Sequence, residues 1–145
     1  MNTEAESHLR GTAYHEAAHA VVAWRLGLDV HSIVLREQGA DCETNTESPT
    51  VLPLTDQLAI YLAGQKASVL FDCPLPEDAG SDDRRQVAIL LLGLSAREDR
   101  KQRNLAYERA HEFLMEHQDK VRRLADHLRD TREVDAAEFL RLMKL

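Results

Sequence analysis

One segment near the start of the chain combines a strong helix pattern with three polar side chains at its centre. Over residues 12–26 small and apolar residues recur at helical spacing, and Gly27 follows where a helix commonly ends. His15 and His19 lie four residues apart, so both imidazoles project from the same face, one turn apart. We therefore predict a buried helix that carries two imidazoles, with the Glu16 carboxylate beside them.

Residues 15–19, HEAAH, match the HExxH pattern of zinc peptidases. His15 and His19 can bind one zinc ion, while Glu16 can take a proton from a water molecule that the ion activates. The alternative is a pair of ordinary helical histidines. A peptidase site also needs a third protein ligand, which HEAAH lacks, and Arg25 stands where a metzincin would have its third histidine.

The rest of the chain predicts a mainly α fold, with a short β-strand or hairpin after the first helix. Residues 30–36 are typical of a strand, and residues 37–53 of a loop or an irregular hairpin. Thr55 and Ser81 are each predicted to cap a helix, the first running to about Phe71. From Ser81 onward the pattern is helical, with breaks near residues 93–96, 117–120 and 130–134. Residues 1–145 are expected to form a single domain.

Charge and apolar content exclude two classes of partner. Acidic residues outnumber basic ones by 25 to 18, for a net charge of −7, which argues against a nucleic-acid binder. The longest apolar run, residues 87–94, is far shorter than the roughly 20 residues of a membrane span, and residues 1–10 do not resemble a signal peptide. Cys42 and Cys73 form no CxxC pair. We expect a reduced cytoplasmic protein.

The residues around HEAAH resemble the peptidase domain of the FtsH family. AYHEAAHAVVAWRL is similar to the segment that opens that domain, and LAIYLAGQKASVLF to its second helix. NLAYERAHEFLMEH and LADHLRDTREVDAAEF are similar to its C-terminal helices. The resemblance covers most of the chain and implies a helical, zincin-like peptidase domain with zinc as its cofactor.

The resemblance also implies a third zinc ligand. AGSDD, residues 79–83, aligns with a family segment whose final aspartate binds zinc, which gives that role to Asp83, with Asp82 as the alternative. From the residues alone, these two aspartates are more simply an acidic first turn after Ser81. His31 could approach the metal, but a polar residue at the edge of a strand is the simpler interpretation.

This chain departs from the family pattern at several positions. Ala18 replaces a glycine, Gln65 an arginine, and Ser68 and Val69 two glutamates. None of the glycines belongs to a GxxxxGK loop, so activity on its own should be independent of ATP. We expect peptides or unfolded proteins as substrates. A homo-oligomer or a separate ATPase that delivers substrates would be the partners that the resemblance implies.

Three functions remain open from the sequence. The first is a zinc metalloendopeptidase with Glu16 as its base and His15, His19 and Asp83 as ligands. The second is a non-catalytic, zinc-stabilised binding or regulatory module derived from such a peptidase. The third is a metal-free helical interaction protein. The presence of Glu16 favours the first, because a structural zinc site needs no base at that position.

Overall fold

The computed structural model describes residues 3–36, 42–75 and 80–145. The fold is mainly helical, with one small three-stranded antiparallel sheet. Its elements are α1 (Thr3–Arg25), β1 (Val30–Val34), β2 (Glu43–Thr46), a 3-10 turn (Pro49–Val51), α2 (Leu54–Leu70), α3 (Ser81–Leu90), α4 (Ala96–Glu116), α5 (Gln118–Thr131), β3 (Glu133–Asp135) and α6 (Ala136–Lys144). Part of the predicted loop 37–53, and Ala79 of the AGSDD segment, lie outside the described residues.

Helix α1 is the central element of the core. Every residue from Gly11 to Ala23 is buried, and the helix packs against α2, α4, α5 and the sheet. Its many alanines allow these neighbours to approach closely. The helix begins well before the predicted residue 12 and ends at Arg25; Gly27 follows it as expected, with a φ of 90° that favours glycine. Leu28 N–H donates to Ala23 O and Gly27 N–H to Trp24 O, the two bonds of a Schellman motif.

The sheet has the strand order β2-β1-β3, with β1 antiparallel to both neighbours. For residues 37–53 the sequence left open a loop or an irregular hairpin. The described part of this stretch contains β2, which pairs irregularly with β1, since the register shifts between Val30 and Ser32. Strand β3 overlaps the end of the predicted break at residues 130–134 and was not expected as a strand. Its buried Val134 pairs with the buried Ile33 of β1. A strand of three residues is too short to show an alternating pattern in the sequence.

Both predicted caps of α2 and α3 are wrong. Helix α2 starts at Leu54 after Pro53, and the Thr55 hydroxyl instead donates to Gln102 Oε1 of α4 at 2.8 Å. Helix α3 starts at Ser81 itself, after Gly80 at φ 82°, and has no side-chain cap. Each helix therefore starts directly after a residue with a restricted or unusual backbone conformation, Pro53 before α2 and Gly80 before α3.

The C-terminal helices follow the predicted breaks. Ser95 caps α4 by accepting a hydrogen bond from Glu98 N–H at 3.1 Å. Helices α4 and α5 are separated at His117, and Asp135 caps α6. Their apolar faces complete the core around α1, chiefly through Phe113, Leu114, Val121, Leu124, Leu128 and Phe139. In the part of the chain that is described, no helix has the length and apolarity needed to cross a membrane.

Candidate metal centre

Three side chains from two helices meet at one point of the structure. Asp83 Oδ2 lies 2.9 Å from His15 Nε2 and 3.0 Å from His19 Nε2, and the two imidazole nitrogens are 3.0 Å apart. Among the described residues, this is the one group of at least three histidine, cysteine or acidic side chains with its donor atoms gathered closely enough to hold a metal ion. The three atoms form a nearly equilateral triangle.

Helices α1 and α3 bring these atoms together. His15 and His19 lie one turn apart on α1, as predicted, and Asp83 is in the first turn of α3. Asp83 is 64 residues from His19, so the contact depends on the tertiary fold. Asp82, the alternative ligand, is exposed and lies 3.6 Å from the Arg85 guanidinium, outside the cluster. His31, also considered, is exposed on β1 and does not belong to the group.

The two imidazoles are oriented in different ways. His19 Nδ1 lies 2.6 Å from the Ile60 carbonyl oxygen of α2 and donates to it, which turns Nε2 towards Asp83. His15 Nδ1 is buried and has no hydrogen-bond partner in the described part of the chain. Its ring packs instead against Gly64, where an added Cβ would come within 2.8 Å of three ring atoms. Any side chain at position 64 would displace this imidazole.

The cluster carries a strong electrostatic coupling. Burial opposes protonation of His19, but the adjacent Asp83 carboxylate outweighs it and raises the pKa of His19 to about 9. Burial likewise disfavours the ionised form of Asp83, yet the two imidazoles hold its pKa below the usual range. Without a metal, His19 and Asp83 therefore form an ion pair at neutral pH.

Glu16 lies on the same buried stretch of α1 and contacts the sheet. Its Oε2 accepts a hydrogen bond from the Thr44 hydroxyl of β2 at 2.6 Å. Its negative charge also contributes to the raised pKa of His19, after the Asp83 carboxylate. The arrangement thus has the Glu16 carboxylate on the same helix as the two imidazoles, with Asp83 as a second carboxylate.

A cavity of about 570 Å³ opens beside the cluster. His15 and Asp83 form part of its wall, with apolar surface from Leu62, Leu75 and Val87. The Asp83 side chain is 25% exposed, against 10% for His15. Tyr61 also lines the cavity, and the pKa of its phenol is raised by burial and by the Asp83 carboxylate. The cluster is therefore enclosed on the α1 side and open towards a space that can admit a ligand.

The donor set fits a zinc ion. Two imidazole nitrogens and one carboxylate oxygen are a recurrent catalytic zinc set, in which a fourth position stays open. With bonds of about 2.0–2.2 Å, the ligands of one tetrahedral ion lie roughly 3.3 Å apart. The observed separations of 2.9 to 3.0 Å are close to that spacing. His19 also has the hydrogen bond to a backbone carbonyl that metal-bound histidines usually make.

Sequence reasoning did not single out Thr44, Gly64 or the Ile60 carbonyl. Gly64 belongs to the LAG segment of the resemblance, and a glycine inside a helix is a signal of close packing that could have been followed. Thr44 lies in a polar strand with no apolar alternation, so nothing in the sequence linked it to Glu16. A backbone carbonyl leaves no trace in a sequence pattern.

Comparison with known proteins adds no assignment to this geometry. No protein-family model matches the chain, and no curated protein matches it at a significant level.

Proposed function

We propose that this chain is a zinc-dependent metalloendopeptidase of the zincin type, similar to the FtsH peptidase domain, that cleaves unstructured or partner-delivered polypeptides. The observation that supports it most is the convergence of His15 and His19 with Asp83 across 64 residues of sequence, beside a buried glutamate. An ordinary acidic helix start would not place Asp83 against two buried imidazoles.

The three ligands and Glu16 have separate tasks in this reaction. His15, His19 and Asp83 would hold the zinc ion, which when bound would supply a Lewis acid that lowers the pKa of a water molecule to near 7 and polarises the scissile carbonyl. Glu16 accepts the proton of the attacking water as its oxygen bonds to the carbonyl carbon. Glu16 then delivers that proton to the amine nitrogen as the C–N bond breaks.

The surroundings of the cluster favour a flexible substrate. His15 and Asp83 face the cavity but are largely enclosed by the helices, so a peptide bond reaches them only if the polypeptide enters the cavity. A folded protein cannot present its backbone in this way. Peptides and unfolded segments are therefore the proposed substrates, with a separate ATPase as the partner that could supply them.

Metal analysis tests the ligand set. We expect about one zinc ion per wild-type chain, and at least a tenfold loss of zinc affinity in His15→Ala and Asp83→Ala. The matched controls are Asp82→Ala, an adjacent exposed aspartate, and His31→Ala, an exposed histidine. Competition titrations with a chromogenic chelator measure these affinities. Equal affinity in Asp83→Ala and Asp82→Ala would remove Asp83 from the ligand set.

Cleavage of an unstructured protein tests the catalytic role of Glu16. The zinc-loaded wild type should cleave it without ATP, and Glu16→Gln should reduce kcat at least a hundredfold while keeping zinc. If both proteins bind zinc and neither cleaves, the site is a zinc-stabilised binding module. If the wild type binds no zinc, the metal-free interaction protein is the remaining interpretation.

A further inference from the structure

We propose that Thr44 is a positioning residue for Glu16: its hydroxyl fixes one carboxylate oxygen so that the other is presented to the attacking water. This inference rests on the proposed peptidase function, in which Glu16 moves the proton. It adds a residue outside the HExxH motif and the ligand set.

The hydrogen-bond geometry supports this role. Thr44 Oγ1 lies 2.6 Å from Glu16 Oε2 and 3.2 Å from the Glu16 backbone oxygen. A hydroxyl has one proton, and an O···O separation of 2.6 Å is typical of a bond to an ionised carboxylate. Thr44 therefore donates to Oε2. Oε1 has no hydrogen-bond partner among the described residues, so it is the oxygen left for the reaction.

The sheet holds Thr44 in place for this contact. Thr44 pairs with Ile33 of β1, and directly opposed residues of an antiparallel pair share one face of the sheet. Ile33 is fully buried, so this face looks into the core towards α1. The neighbours Glu43 and Asn45 are exposed, as the alternation requires. A one-residue slip of β2 would turn Thr44 away from Glu16.

Loss of the Thr44 hydrogen bond to Glu16 should lower kcat more than it changes KM. The glutamate side chain has three rotatable bonds, and the Thr44 bond removes conformations in which the carboxylate turns away. Substrate binding does not use this bond, so its loss should leave KM nearly unchanged. Loss of a hydrogen bond to a charged group corresponds to roughly a ten- to hundredfold effect.

The experiment compares Thr44→Val, Thr44→Ser and Thr46→Val in the zinc-loaded chain. Thr46 lies on the same strand, but its hydroxyl donates to Glu47 O at 2.8 Å, away from Glu16. We expect Thr44→Val to lower kcat at least tenfold with KM within twofold of wild type. Thr44→Ser should restore most of the rate, and Thr46→Val should resemble wild type. Zinc content should be equal in all three.

A second readout does not depend on activity. In protein labelled with ¹³C at glutamate side-chain carboxyls, the Glu16 signal is the one that Glu16→Gln removes. Thr44→Val should shift this signal and Thr44→Ser should return it towards the wild-type position. An unshifted signal, or kcat falling equally in Thr44→Val and Thr46→Val, would overturn the proposal. If the wild type shows no Glu16-dependent cleavage, the proposed function fails, while the carboxyl signal still decides whether Thr44 holds Glu16.

Discussion

Gly64 and Ile60 show that single residues of α2 determine how the two imidazoles of α1 are directed. Ile60 acts through its carbonyl oxygen, which accepts the His19 Nδ1 proton. Gly64 acts through its missing side chain, because the His15 ring occupies the space that a Cβ would fill. One imidazole is therefore held by a hydrogen bond and the other by packing.

Gly64→Ala should disable the metal site while leaving the helix intact. In a helix interior alanine is favoured over glycine by about 1 kcal/mol, so the substitution should not weaken the helix itself. Any loss of zinc affinity would then come from displacement of the His15 ring. We expect zinc affinity to fall at least tenfold, as measured by chelator competition. Val69→Ala, at a 65% exposed position of the same helix, is the control. Wild-type affinity in Gly64→Ala would contradict the packing argument.

Among the elements, α3 depends most on the metal site for its attachment. Of its ten residues Val87 alone is buried, and its principal packing is against α2. Asp83 provides a second attachment, to the two histidines of α1. An element with so little buried apolar surface opens more easily than the core helices.

Removal of zinc should therefore loosen α3 before the rest of the fold. We expect amide hydrogen exchange across Ser81–Leu90 to accelerate at least tenfold in the presence of a chelator, and exchange in Gln118–Thr131 to change little. Mass spectrometry of peptic fragments measures both. In Asp83→Ala, α3 should exchange rapidly with or without zinc. Uniform acceleration over all helices would show that the metal stabilises the whole fold and not α3.

The sequence predicted elements with strong local signals and missed those that depend on distant partners. The helix around residues 12–26 and the breaks before Ala96 and at His117 were predictable, because periodicity and caps are local. Strand β3 was not predictable, because three residues become a strand only through pairing with β1. The HEAAH pair followed from spacing. Asp83 needed the family resemblance, since an acidic first turn is common without any metal.

At the scale of the whole molecule, the cluster links stability to pH when no metal is bound. The His19 pKa is raised to about 9, above its ordinary value of 6.5. Its protonation therefore stabilises the fold fully below pH 6.5, and this contribution is lost as the pH rises through 9. The Asp83 pKa is lowered, so its contribution is present above its ordinary range and is lost in acid. The ion pair stabilises most between about pH 4 and 6.5.

In the presence of a chelator, the wild-type protein should lose stability as the pH is raised from 6.5 to 9. Relative to Asp83→Asn, whose His19 lacks the Asp83 carboxylate, the loss in the free energy of unfolding should be roughly 1–3 kcal/mol. Urea unfolding at several pH values in chelator measures the difference between the two proteins, so that titration of other groups cancels. If the free energies of unfolding of wild type and Asp83→Asn changed with pH in parallel, Asp83 would not be raising the pKa of His19.

The 64-residue separation between His19 and Asp83 also determines how a metal would distinguish the folded chain from the unfolded one. His15 and His19 are only four residues apart and can share an ion even in an unfolded chain. Asp83 could join them there only by closing a long loop, at an entropic cost on the order of 4 kcal/mol. In the folded chain Asp83 already lies beside both histidines, so metal binding does not bear the cost of closing this loop. Asp83 is thus the ligand through which metal binding would favour the native fold, and a variant without it could still bind an ion weakly while gaining little stability from it.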